Sequence, residues 1–222
     1  ASQSTGLDAG TYDKEKIEEI ILPAIFGGNK DGVRIEGFMW RMLFRREIVD
    51  KTQNIFYEEA KPKEDQIFNQ IHSINSEIIE VIDYPVYNYI INENSVTAKI
   101  TSAFDYTDVW NKNLFLFDKS VLNANKANTY KKLEYSICLN IYETVYTMVI
   151  NTAKSVNMSD IKRVAKDFEK MFDCEYIKLT YRHLRDVKTS FVDKIIMNAV
   201  GKNKYRFMFI KIKFLQKLRG GH

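Results

Sequence analysis

The chain closes on cations interleaved with aromatic rings: Lys202, Lys204, Arg206, Phe207, Lys211, Lys213, Phe214, Lys217 and Arg219, with no acid after Asp193. Ammonium and guanidinium groups neutralise phosphates, and phenyl faces stack on bases. The same residue types serve a second chemistry. An apolar stripe flanked by lysines docks on an acidic protein surface while the lysine tips stay in water. A third occupant is an anionic membrane, on which a basic amphipathic helix lies flat.

Spacing bears on which of these applies. As a helix, residues 204–218 align Phe207, Ile210, Phe214 and Leu218 in one stripe, flanked by Lys211, Lys213 and Lys217. As a strand, Met208, Ile210, Ile212 and Phe214 face one way, with Phe207, Phe209, Lys211 and Lys213 on the other side. The plainest account is a terminal core helix with solvated lysines. Other protein subunits, self or hetero, rank next, then DNA or RNA, then a peripheral membrane contact.

Other residues offer less chemistry. Asp83, Glu93 and Lys99 have the types a Mg²⁺-dependent nuclease uses, but Glu93 falls in an expected turn, where an acid is ordinary. The stretch "FGGNKDG" lacks the Lys-Ser/Thr ending of a phosphate-binding loop and reads as a linker. His72 has no His or acid at metal-ligand spacing and reads as a surface or boundary histidine. Cys138 and Cys174, the two cysteines, form no C-x-x-C pair and read as reduced, buried thiols. "YRHLRDVKTS" resembles the H-x-L-R stretch of tyrosine recombinases, whose His and Arg would hold a scissile phosphate. It departs from that pattern because His183 directly precedes Leu184, and Tyr205 follows Arg185 by only twenty positions. No catalytic residue, metal ligand, cofactor or small-molecule substrate is therefore expected.

The elements that must carry the basic end follow from period and punctuation. Asp13 caps a helix through Phe26 with Ile17, Ile20, Ile21 and Ala24 inward. Residues 33–57 read as a helix stacking Trp40, Phe44 and Ile48. From Pro62, Ile67, Ile71, Ile74, Ile78 and Ile82 form one helical face. "VYNYIINENSVTAKIT" alternates about a polar turn, a β-hairpin rich in tyrosine, and "NLFLFDKSV" adds a short strand. A helix over 128–154 carries Leu133, Ile137, Ile141, Val145, Met148 and Thr152 as its stripe, and helices follow over 160–172 and 176–199, with Gly201 the break after the last. The expectation is an α+β protein, mainly helical with a small antiparallel insertion around residues 86–117. Residues 1–12 form an extended arm, 13–201 one helical domain, and 202–222 a basic amphipathic segment.

Charge is uneven along this layout. From Asp160 to His222 there are sixteen Lys or Arg against seven Asp or Glu, a net +9; the total is +4, so the rest carries −5. Lys outnumbers Arg 24 to 9, and Phe and Tyr number 14 and 13. That bias is what AT-rich codons produce, as in phages, large DNA viruses and some protists. No apolar run approaches the roughly 20 residues that span a bilayer, and the first residues lack a secretory leader's pattern. The expected role is a non-enzymatic assembly subunit, intracellular or in a virion, whose terminal segments contact neighbouring subunits. The alternative is nucleic-acid binding by the basic end.

Overall fold

The structure, a computed structural model, describes residues 6–35, 37, 39–53, 55–61, 63–84, 105–187 and 190–219. Over these residues it is mainly helical with a two-stranded antiparallel sheet, the α+β class expected. The chain opens with β1 (Gly10–Asp13) and a first helix, α1, made of Lys14–Lys16, a π turn Ile17–Ile21 and Leu22–Phe26. Then come α2 (Arg46–Thr52), α3 (Glu64–Ile74), β2 (Ile78–Val81) and α4 (Tyr106–Lys126). The remainder is α5 (Tyr130–Ser155), α6 (Ile161–Phe172), α7 (Glu175–Leu184), α8 (Phe191–Lys202) and α9 (Tyr205–Arg219). These elements form two compact units, one drawn from 1–99 with 111–140, the other from 100–110 with 141–222.

In the first unit β1 pairs with β2, Gly10 opposite Val81 and Asp13 opposite Ile78. The hairpin expected over 86–101 lies outside the described residues, as do residues 1–5 of the expected arm. Residues 113–121, expected as a strand, are helical within α4. Asn113, Leu116, Phe117, Ser120 and Ala124 are buried there at spacings of three and four. That longer period outweighs the local Leu-Phe-Leu-Phe alternation.

α1 begins as the sequence indicates: Asp13 accepts a hydrogen bond from the Lys16 amide at 3.0 Å, satisfying a free N–H of the first turn. The π turn ends two residues before Pro23, which has no amide hydrogen and whose ring crowds the carbonyl four residues back, within that turn; a wider turn relieves that crowding. Ile17, Ile21 and Ala24 face the core, joined by Leu22, Ile25 and Phe26.

α3 is shorter than its isoleucine period implies. Its last carbonyls are taken by other donors: Lys14 Nζ donates to Ile74 O (2.7 Å) and Ser76 O (3.2 Å), Asn75 to Ile71 O (2.7 Å), and Ser76 to His72 O (2.9 Å). With the helix capped, β-branched Ile78 and Ile79 enter β2, so Ile78 and Ile82 leave the helical face and stand exposed. Gln66, Asn69, Gln70, His72 and Ser73 are buried along α3, and Ser120 Oγ donates to Gln70 Oε1 at 2.8 Å.

His72 is thus a core residue, correcting the surface or boundary position expected for it. Phe44 meets its ring edge-on at 5.0 Å, and burial lowers its pKa. A histidine held neutral when folded makes the unfolded chain bind more protons below the ordinary value near 6.5. Stability should therefore be complete above about pH 7 and fall as pH drops through 6.5 toward 5. Chemical denaturation across that window checks this, and His72→Gln should flatten the slope.

The helix expected over 33–57 is replaced by a 3-10 turn at Met39–Arg41, by α2 and by connecting chain. Phe44 and Phe56 both pack on Phe68 of α3, at 5.2 and 4.8 Å between ring centroids. Anchoring Phe44, in mid-segment, and Phe56, near its end, on one ring favours a bent path over a continuous helix.

The second unit is built on rings. Phe168 of α6 lies 4.9 Å from Phe209 of α9, 5.1 Å from Phe172 and 5.3 Å from Tyr106. Phe172 in turn meets Tyr205 at 5.8 Å, so α6 and α9 run antiparallel. Tyr106 donates to Asp167 (2.8 Å) and Tyr142 to Asp193 at the start of α8, where Ser190 caps the Asp193 amide. The stretch 176–199 is two helices, and Gly201 lies inside α8 rather than ending it. Its hydrogen leaves room for Tyr181, whose hydroxyl would stand 2.5 Å from a Cβ there. The turn into α9 is made instead by Asn203 in the left-handed region, φ +52°.

Candidate interaction surface on the terminal helix

α9 has two apolar faces. Tyr205, Met208, Phe209 and Ile212 recur at the i, i+3, i+4, i+7 spacing and are buried against the second unit. Burial pushes the Tyr205 hydroxyl pKa up, with Glu169 and Asp173 adding to the shift, so it stays a neutral phenol. The stripe singled out from the sequence lies on the opposite side. Phe207, Phe214 and Leu218 are 62%, 63% and 61% exposed, and Ile210 is half-buried. At 100° per residue, Arg206 and Lys217 border this outer stripe on one side and Lys204 and Lys211 on the other. All four are exposed, and α9 contains no acid. The arrangement is a solvent-facing apolar strip between two cationic edges.

Lys213 is not part of it. Its ammonium turns inward and donates to Ala153 O (3.0 Å) and Val156 O (2.6 Å) at the end of α5, while Gln216 reaches Ile150 O (3.2 Å). A cation on otherwise unpaired carbonyls suits the negative end of a helix. Lys213→Met should cost about 1–2 kcal/mol of stability, whereas Lys211→Met should stay within about 0.5 kcal/mol. Thermal unfolding of the two variants side by side checks the contrast. Lys202 is exposed at the end of α8, and Arg219 ends α9, its side chain outside the described residues.

The sequence did not single out a row on α6. Lys162, Lys166 and Lys170 recur every fourth residue and are exposed, with Glu169 and Asp173 beside them. Only their spacing could have flagged the row.

The remaining candidates do not converge. Asp83 is exposed, while Glu93 and Lys99 lie outside the described residues. Arg185 pairs with Asp186 at 3.2 Å, and Tyr205 is buried on Phe172. His183, Arg185 and Tyr205 therefore form no phosphate-holding group. Cys138 is buried and Cys174 half-buried, neither in a disulfide, and burial raises the Cys174 pKa. Among the described residues, no three His, Cys, Asp or Glu side chains group as metal ligands would. No described helix is long and apolar enough to cross a membrane.

An open cleft lies in each unit. The first, about 450 Å³, is bordered by Lys132, which pairs with Glu18 at 2.7 Å, and by Lys30, 6.0 Å from the Tyr135 ring. The second, about 520 Å³, is bordered by Lys178, which meets Asp173 at 3.1 Å and Glu175 at 3.6 Å. These cations already have partners within the fold. Comparison with family models, with curated proteins and with solved structures found no match to this chain.

Proposed function

We propose that the chain is a non-catalytic assembly subunit that docks on another protein subunit through the outer face of α9. The observation that carries this reading is the strip of Phe207, Phe214 and Leu218, exposed between cationic edges on a helix whose other face is already buried. Aromatic rings in water lose little by meeting a partner and gain the area they bury. The AT-rich residue bias supports a virion or similar particle as the setting.

Deleting α9 would strip Phe209 and Ile212 from the core, so point changes on the outer face are the instrument. Light scattering should give the full chain a mass that rises above 26.1 kDa with concentration. A Phe207→Asp/Phe214→Asp variant should stay at the monomer mass and melt like the wild type. Equal association by both would remove α9 as the docking face.

A second reading, nucleic-acid binding, draws on the α6 lysine row together with the acid-free α9. It ranks lower because Glu169 and Asp173 sit beside that row and Lys213 is engaged in the fold. Under this reading, Lys211→Gln/Lys217→Gln would weaken oligonucleotide binding and shallow its salt dependence. An unchanged salt slope would dismiss it.

A further inference from the structure

Resting on the docking role of α9, we infer that its occupant is a second copy of this chain, engaged through the β1–β2 ribbon in a head-to-tail contact. The ribbon's outer face is the counterpart of the α9 strip in charge and in apolar content. Along 77–84, "EIIEVIDY", Ile78, Ile82 and Tyr84 are 67%, 55% and 71% exposed. Glu77 precedes them and Glu80 and Asp83 stand between them, all exposed, with no Lys, Arg or His in the stretch. β1 and its lead-in, residues 7–13, add Asp8 and Asp13 and no base. The register sets Ile78 opposite Asp13 and Glu80 opposite Thr11. Both pairs lie on the exposed side of the ribbon, while Tyr12 is buried on the other.

In this contact the exposed apolar groups of the two patches, Phe207, Phe214 and Leu218 on one copy and Ile78, Ile82 and Tyr84 on the other, meet. The cations Arg206, Lys211 and Lys217 then face a stretch whose charges are all acidic. The uneven charge of the chain, basic toward its end and acidic before it, follows the same division. Because the two patches differ, a pair keeps one α9 face free on one copy and one ribbon free on the other, so the contact extends into a ring or an open chain. A contact between identical α9 faces would instead bring like charges together.

Sedimentation velocity on the full chain and two surface variants tests this. Phe214→Asp and Ile82→Asp should each weaken self-association roughly tenfold or more, with melting temperatures unchanged. An equimolar mixture of the two should form a 1:1 dimer that does not grow, since one intact α9 meets one intact ribbon. If Phe214→Asp blocks association and Ile82→Asp does not, α9 remains a docking face and the ribbon is overturned as its partner. A mixture that stays monomeric also overturns the head-to-tail contact. A wild type monomeric at every concentration removes self-assembly altogether. If that monomer instead binds a random-sequence DNA oligonucleotide through α9, the occupant is nucleic acid and the proposal falls.

Discussion

Replacing Phe168 by alanine should lower the unfolding free energy by about 3–5 kcal/mol. The ring is fully buried and meets three others, Phe209, Phe172 and Tyr106, within 5.3 Å. Truncation removes the transfer free energy of the ring and leaves a cavity whose walls are themselves rigid aromatics. Each lost ring pair adds to this. A natural domain of this size has only about 5–15 kcal/mol in hand, so much of the variant should be unfolded on mild heating. Phe168→Leu, which keeps most of the volume, should lose clearly less. Urea denaturation of the three proteins gives the comparison, and a loss below about 1 kcal/mol for alanine would contradict the ring cluster.

Gly27→Ala should be the second large effect, about 3 kcal/mol or more, because it overpacks a helix contact that cannot yield. Gly27 follows α1 at φ +156° and lies directly against α5. A Cβ there would overlap the Ser136 carbonyl oxygen and stand 2.8 Å from Asn140 Cβ and 2.9 Å from Asn140 N. Two of these three atoms are backbone, so no rotamer change relieves the clash. Gly10 provides the comparison: its φ is +148°, yet nothing lies within 4 Å of a Cβ there. Gly10→Ala should therefore show backbone strain alone, about 1 kcal/mol. If the two variants melted together, the close approach of α1 to α5 would be wrong.

How far the sequence led can be seen in α5 and in α3. In α5 the stripe Leu133, Ile137, Ile141, Val145, Met148 and Thr152 is buried at every position, because a long helix with a regular period leaves few alternatives. In α3 the isoleucine period runs on through Ile78 and Ile82, and only the donors gathered at its end reveal where it stops. One of them, Lys14, comes from sixty residues away. Periodicity cannot register such a tertiary cap. The same limit applied to 33–57, where packing on Phe68 set the path.

The candidate surface was legible in part. The stripe of Phe207, Ile210, Phe214 and Leu218 and its flanking lysines were read from spacing, but α9 holds a second stripe of equal period. Which stripe faces inward depends on Phe168 and Phe172, supplied by another helix. Lys213 belongs to the inner side because the end of α5 offers it carbonyls, a fact no local window contains. The acidic ribbon was hidden for the opposite reason: the helical period claims Ile78 and Ile82, whereas Ile78 lies in β2 opposite Asp13 and both isoleucines stand exposed.

The central claim is that the outer face of α9 meets a second chain. A photo-crosslinking side chain placed at position 214, in an equal mixture of ¹⁵N-labelled and unlabelled protein, reports the contact directly. The account predicts covalent dimers whose linked peptides pair one isotope with the other and map to residues 77–84. Crosslinks confined to a single isotope, joining position 214 to its own chain, would contradict it.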